Sequence, residues 1–259
     1  MPAPRNPRTR PHAAAHPPAG AGPRVMHQQW RDLLFLHWDV PPRVVGETLP
    51  PGLSVDTFEN RAWLGIVPFR MQRVRPRGLP AVPGISAFGE LNLRTYVRGR
   101  DGTPGVWFYS LDAHQRLAVG LARTLFHLPY VWARIVTERQ DQQVRYRWSR
   151  SKNARRSEPS FVYDTPDDPG ATPPAPAPPG SLDAFLVERY VLFSYAAKRR
   201  RLYAGRVVHP PYRIATPRVH RLDTSLFELN GFPPPRRPPS HVTWSPGVDV
   251  AVHALRAVE

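Results

Sequence analysis

Residues 89 to 97, Gly-Glu-Leu-Asn-Leu-Arg-Thr-Tyr-Val, alternate in polarity, and the run at 105 to 113, Gly-Val-Trp-Phe-Tyr-Ser-Leu-Asp-Ala, is apolar on both faces. A period of two commits the first run to a strand with Leu91, Leu93, Thr95 and Val97 on one side and Glu90, Asn92, Arg94 and Tyr96 on the other. The second run reads as a central strand covered on both sides. If Arg98 pairs near Gly105 across the loop at 99 to 104, Tyr96 lies close to Trp107 and Arg94 close to Tyr109, so the polar row is roofed.

The remaining segments repeat this strand-rich pattern. A hairpin is expected from Leu53–Phe58 and Ala62–Met71 around a Glu59-Asn60 turn, with further strands at 131 to 139, 142 to 151, 190 to 195, 202 to 208 and 248 to 255. Leu117, Leu121, Leu125 and Leu128 recur at helical spacing before Pro129, and Ser181 caps a short helix. Many strands with few short helices, and no regular βαβ alternation, predict an α+β fold with a mainly antiparallel barrel or sandwich.

Composition narrows the function classes. The chain has no cysteine, which excludes disulfides, thiolate metal sites and a cysteine nucleophile. Residues 1 to 25, rich in Arg, Pro and Ala, hold too little apolar surface to offset the entropy of ordering and are expected to be a disordered tail. That leaves one domain over 26 to 259, with Met26 as a plausible start and a flexible Pro-rich loop near 165 to 180. There is no export signal and no 18-residue apolar run, so a cytoplasmic protein without a membrane association is expected. The net charge is +16, yet only Lys152 and Lys198 are lysine and 34 residues are arginine, beside 34 prolines. Such a skew follows from a GC-rich coding sequence and is read as a solvated basic surface, although an Arg-rich nucleic-acid or anion-binding module is the alternative. No aromatic-basic RNA motif supports that alternative.

No dinucleotide, phosphate-loop, nucleophile-elbow or zinc-protease motif occurs, the histidines show no ligand spacing, and neither metal nor cofactor is expected. The positive signal is the even row of the first strand. Its members stand roughly 6.5 to 7 Å apart, suited to holding different ends of one small ligand. Glu90 is the candidate acid or base, since enclosure raises a carboxyl pKa, and Arg94 the candidate clamp for an anion. Asn92 and Tyr96 complete the row. The alternatives are a solvated edge strand or a buried network that only fixes register. Glu188 and Arg189 read as a salt-bridge pair at a helix end rather than a catalytic dyad, and His209 as a residue that either holds a loop or transfers a proton.

Seven segments together resemble a known bacterial family, the domain of unknown function 2071. They are FLHW (35 to 38), LPPGLSVDTFENRAWLGIVPF (49 to 69), FGELNLRTYV (88 to 97), GVWFYSLDA (105 to 113), AR with FHLPY (122 to 130), GSLDAFLVERYVLF (180 to 193) and HPPYRI (209 to 214). The resemblance runs over about 26 to 256. It implies kinship with the acetoacetate decarboxylase-like superfamily, whose fold is a cone-like, mainly antiparallel β structure with an internal cavity. Tyr109, Arg123 and Tyr130 lie in these motifs and become further candidates for binding a small organic acid or ketone. In the decarboxylases a lysine in a Phe-Pro-Lys-Lys turn forms a Schiff base with the substrate carbonyl. Here that turn reads His127-Leu128-Pro129-Tyr130, so Tyr130 and Val131 stand where the lysines belong. The resemblance therefore implies a pocket protein without the covalent amine: a lyase- or isomerase-like enzyme with Glu90 as acid or base and Arg94 as anion clamp, or else a non-catalytic binder or a scaffold whose cavity is vestigial.

Overall fold

The computed structural model describes residues 22–115, 126–150, 158–166 and 172–258. The long β-branched and aromatic runs form the strands β1 (Arg24–Val40), β2 (Leu53–Val55), β3 (Ala62–Pro76), β4 (Phe88–Gly99) and β5 (Pro104–Ala113). Shorter strands follow: β6 (Tyr130–Trp132), β7 (Arg134–Gln140), β8 (Gln143–Ser149), β9 (Phe161–Asp164) and β10 (Ala175–Pro176). The chain continues through β11 (Val191–Ala196), β12 (Arg201–Val208), β13 (Arg213–Ile214), β14 (Arg218–Arg221), β15 (His241–His253) and β16 (Arg256–Ala257). Among the described residues the α-helices are short: α1 (Pro42–Gly46), α2 (Leu182–Val187) and α3 (Ser225–Glu228).

The main sheet closes on itself. Its order β4-β3-β1-β15-β12-β11-β5 ends with β5 paired back to β4, and within that ring the β11–β5 contact is parallel while the other pairs are antiparallel. Closure leaves the ring without free edges. Its two faces bury different cores. Leu34, Leu36, Ile66, Leu91 and Leu93 face outward onto the second sheet, β14-β9-β8-β7, through Tyr146, Trp148, Phe161 and Tyr163. Phe35, Val67, Phe69, Tyr96 and Val106 face inward, where α2 inserts Phe185, Leu186 and Val187. Ser181 caps α2 as expected, its Oγ accepting from Ala184 N at 3.1 Å.

Several expectations are corrected. The barrel and its antiparallel bias follow from the sequence pattern, but the Leu53–Phe58/Ala62–Met71 hairpin does not form as a ladder. Beyond the Phe58–Arg61 bridge around Glu59-Asn60, β2 pairs with β4, and β3 lies between β4 and β1. The turn does form, with Glu59 and Asn60 at φ 49° and 61°, but β3 gains more by burying both its faces than by pairing with a three-residue strand. At the amino end, residues 22–25 were assigned to a loose tail, yet Arg24 pairs with His253 and Pro23 O accepts from Ala254 N at 3.0 Å. Residues 1–21 lie outside the described residues. In the Pro-rich loop, Ala175–Pro176 pairs with Arg213–Ile214. Proline is tolerated there because this two-stranded ladder needs few donors. The leucine-spaced helix falls largely on residues 116–125, outside the described residues.

Candidate functional site

The even row of β4 lies on the inner wall of the barrel. Glu90 is 2% exposed, Asn92 4% and Tyr96 0%, while Arg94 is half-buried. Register carries the row across neighbouring strands, since Gly65 faces Arg94, Val67 faces Asn92 and Phe69 faces Glu90. On the other side a bulge intervenes. Leu93 pairs with Ser110 and Arg94 with Phe108, so Tyr109 is the extra residue of β5.

That bulge overturns one expected neighbour. Tyr109 was placed beside Arg94, but it packs on the outer face against Phe232 at 4.8 Å between ring centroids, and its hydroxyl meets Thr48 Oγ1 at 2.7 Å. The pairing is also one residue out of the expected register, with Tyr96 opposite Val106 and not near Trp107. Arg123 lies outside the described residues. Tyr130 does join the row: from β6 its hydroxyl donates to Glu90 Oε2 at 2.8 Å.

The inner row then separates into two poles. At the first, burial pushes the Glu90 carboxyl up to about 8, with the nearby charge of Asp112 adding to the rise, against hydrogen bonds from Tyr130 and Asn92 that lower it. Glu90 is accordingly mostly protonated at neutral pH. Burial raises the Tyr130 phenol well above its usual value, aided by Glu90, so Tyr130 stays a donor. Asn92 Oδ1 is buried with no partner among the described residues.

The second pole gathers around Arg94, whose side chain turns away from Glu90. One guanidinium nitrogen donates to Leu186 O at 3.0 Å and to Tyr96 Oη at 3.2 Å, and the group lies 5.3 Å from the Phe35 ring centroid. Tyr96 Oη also donates to Leu186 O at 2.8 Å and lies 2.7 Å from His37 Nε2. Burial keeps the His37 pKa well below its ordinary value, with help from Arg94 and His241. Glycine at 65 makes room for this contact: a Cβ there would fall 2.8 Å from His37 Cδ2 and 2.9 Å from Nε2. Gly65→Ala should therefore displace the imidazole and cost about 1–3 kcal/mol, read as a lowered urea midpoint at unchanged slope. An unaltered midpoint would contradict this packing.

Sequence reasoning missed other buried polar groups. Glu188 and Arg189 do not pair with each other. Arg189 is buried and reaches Asp56 Oδ2 at 2.7 Å and Phe185 O at 2.7 Å, while Asp56 also accepts from Arg98 Nε at 2.8 Å. Glu188 Oε1 accepts from Tyr212 N at 2.8 Å and its other oxygen from the Tyr190 hydroxyl. His209 gives its Nδ1 proton to Pro210 O at 2.8 Å, stacks on Tyr190 at 4.6 Å, and is lowered by burial to about 4. His37 stands inside the FLHW segment, but a single histidine in an apolar run carries no signal of its own. Its inward aim becomes visible only through the pairing of β1 with β3 and β15.

Among the described residues no three His, Asp or Glu side chains stand close enough to share a metal ion. Lys198 is exposed in the turn between β11 and β12, and Lys152 lies outside the described residues. A half-open hollow of about 200 Å³ opens elsewhere on the barrel, lined by Val191, Phe193, Arg206 and Arg256 among others, and takes no part in the even row. No helix among the described residues is long and apolar enough to cross a membrane.

The closed, mainly antiparallel barrel is a fold this chain shares with acetoacetate decarboxylase-like proteins. Acetoacetate decarboxylase from Legionella pneumophila superposes with a TM-score of 0.59 at 13% identity, covering 100% of this chain and 92% of its own. The enduracididine biosynthesis enzyme MppR, solved with HEPES bound, gives 0.60 at 14%, covering 96% and 99%. Within that fold the chain belongs to the DUF2071 family, described as an uncharacterized conserved protein, whose model matches residues 27–249. The uncharacterized protein YqjF of Bacillus subtilis (strain 168) is 37% identical over 215 residues, 83% of this chain and 85% of that protein.

Proposed function

We propose that the barrel interior binds a small ketone or 2-keto acid and that Glu90 transfers a proton to and from it, in a lyase- or isomerase-type reaction without a Schiff base. The observation that carries this reading is the Glu90 carboxyl, 2% exposed, fixed by Tyr130 and raised to about 8. A group near neutral pKa both donates and accepts protons at physiological pH. Tyr130 already donates to one carboxyl oxygen, so in the ionised fraction of Glu90 the other oxygen takes the ligand's α-proton as the C–H bond breaks and the enolate forms. The protonated carboxyl then returns a proton to that carbon or exchanges it with solvent. The orphaned Asn92 Oδ1 offers an acceptor beside it. The ligand class is supported by MppR, a structural neighbour solved in complex with pyruvate. With Tyr130 where the decarboxylases have lysine, the carbonyl is polarised by a hydrogen bond and not captured by an amine.

Deuterium exchange tests this directly. The protein is expected to accelerate exchange of the pyruvate methyl protons in D₂O, followed by NMR, and Glu90→Gln to slow it about 10²- to 10⁴-fold. Borohydride added with pyruvate should leave no adduct. Absence of both exchange and pyruvate binding, or an adduct on either lysine, would contradict the reading.

A further inference from the structure

The second pole carries a separate argument. Register places His241, His37, Gly65 and Arg94 in one row across β15, β1, β3 and β4, so all four face the barrel interior. Tyr96 has one hydroxyl proton and gives it to the Leu186 carbonyl, which can only accept. The contact to His37 therefore runs the other way, from Nε2–H to Tyr96 Oη. A neutral imidazole has one N–H, so His37 Nδ1 is a bare lone pair. His241 gives its Nε2–H to Asp183 Oδ1 on α2 at 2.8 Å, and its Nδ1 lies outside that bond.

Both nitrogens are buried and without a partner among the described residues, as are Thr243 Oγ1, two residues along β15 from His241, and Arg94 Nε. The two imidazole rings lie 5.9 Å apart between centroids. Leaving buried acceptors unpaired is unfavourable by more than a typical hydrogen bond contributes, so this arrangement calls for a donor from outside the protein. It also calls for an anion. Arg94 has no carboxylate partner among the described residues, and its guanidinium is turned inward over Phe35. An unneutralised guanidinium disfavours a metal cation or an ammonium group at the bare nitrogens.

We propose that this pole binds a small α-hydroxycarboxylate, its carboxylate opposite Arg94 and its hydroxyl donating its one proton to the bare Nδ1 of His37. This deepens the interior-ligand reading and shares Arg94 with it, but it does not depend on proton transfer by Glu90. Bicarbonate presents the same chemistry, a monoanion with one O–H, and is separated from hydroxycarboxylates by the test.

The test compares glycolate with acetate, which differ by the hydroxyl alone, by calorimetric titration of the full chain in bicarbonate-free buffer. Glycolate should bind at least about tenfold more tightly, because acetate leaves the His37 acceptor unpaired. In His37→Gln the side-chain amide keeps an N–H toward Tyr96 but supplies no imidazole acceptor, and the preference should fall below about threefold. Arg94→Gln should weaken both acids together. Glu90→Gln should leave the preference unchanged while slowing pyruvate exchange about 10²- to 10⁴-fold, so the two proposals fail separately. Circular dichroism and the melting transition identify any variant that has not folded, and the glycolate-to-acetate ratio of the unaltered protein then decides alone. Equal affinity for the two acids, a preference that survives in folded His37→Gln, or tighter binding of bicarbonate than of glycolate would overturn the assignment. So would a ligand-soaked structure with only ordered water at His37 Nδ1.

Discussion

Asp56→Ala is expected to destabilise the protein by about 3–5 kcal/mol, because it strands a buried cation. The Asp56 side chain is 3% exposed and the Arg189 side chain 2%, and their contact at 2.7 Å is supported by the Phe185 carbonyl on Arg189 Nε. Arg189 also lies against the Phe185 ring at 4.2 Å, so the guanidinium cannot move to water without dismantling α2 and its packing against Tyr96. The second partner of Asp56 behaves differently. Arg98 is 41% exposed, and Arg98→Ala should cost no more than about 1 kcal/mol. Replacing Asp56 and Arg189 together with leucine should recover much of the loss, since no uncompensated buried charge then remains and Arg98 is free to reach water. Chemical denaturation of the four proteins checks this ordering. An Asp56→Ala variant as stable as Arg98→Ala would show that the pair does not anchor α2.

The second large effect concerns Glu90 and pH. Its folded pKa, about 8, lies above the ordinary carboxyl value of 4.5, so between those values the native state holds a proton that the unfolded chain has released. Stability contributed by this group is full below about pH 4.5, falls as pH rises, and is lost by about pH 8. Glu90→Gln removes that slope. Relative to the unaltered protein, the variant should gain stability steadily from pH 5 to 8, by about 3–5 kcal/mol in total. The difference between the two proteins isolates Glu90 from other groups that titrate with folding. His209, lowered to about 4, loses native-state stability in the acid direction and cancels in the comparison. Around Glu90 the titratable neighbours are Asp112 from β5, Tyr130 from β6 and Tyr146 from β8. Both phenols are raised by burial, so neither changes charge in this range.

The two effects mark what was legible in the sequence. The alternation over 89 to 97 placed Glu90, Asn92, Arg94 and Tyr96 on one face, and closure of the barrel turned that face inward. The double-sided apolar run at 105 to 113 likewise announced a central strand. What the alternation could not show was the bulge at Tyr109, because an extra residue in β5 alters pairing without altering composition. That single residue sent Tyr109 to the outer core. The charge pairs were also hidden, since Asp56 and Arg189 are 133 residues apart and only the packing of α2 into the barrel joins them. Arg189 next to Glu188 looked like a local ion pair for the same reason. His37 and His241 sit at ends of pairing registers that no local periodicity encodes. The resemblance to the domain of unknown function 2071 supplied the barrel and directed attention to Tyr130, whose bond to Glu90 is a tertiary contact across 40 residues.

Proton transfer inside the barrel depends on the protonation of one carboxyl, Glu90. Carbon-13 NMR of the Glu90 side-chain carboxyl, assigned by its disappearance in Glu90→Gln and followed from pH 4 to 10, measures it directly. A midpoint near 8 is the predicted result. A midpoint near 4.5 would mean that Glu90 is a solvated carboxylate and that the inner wall of β4 holds no proton to transfer.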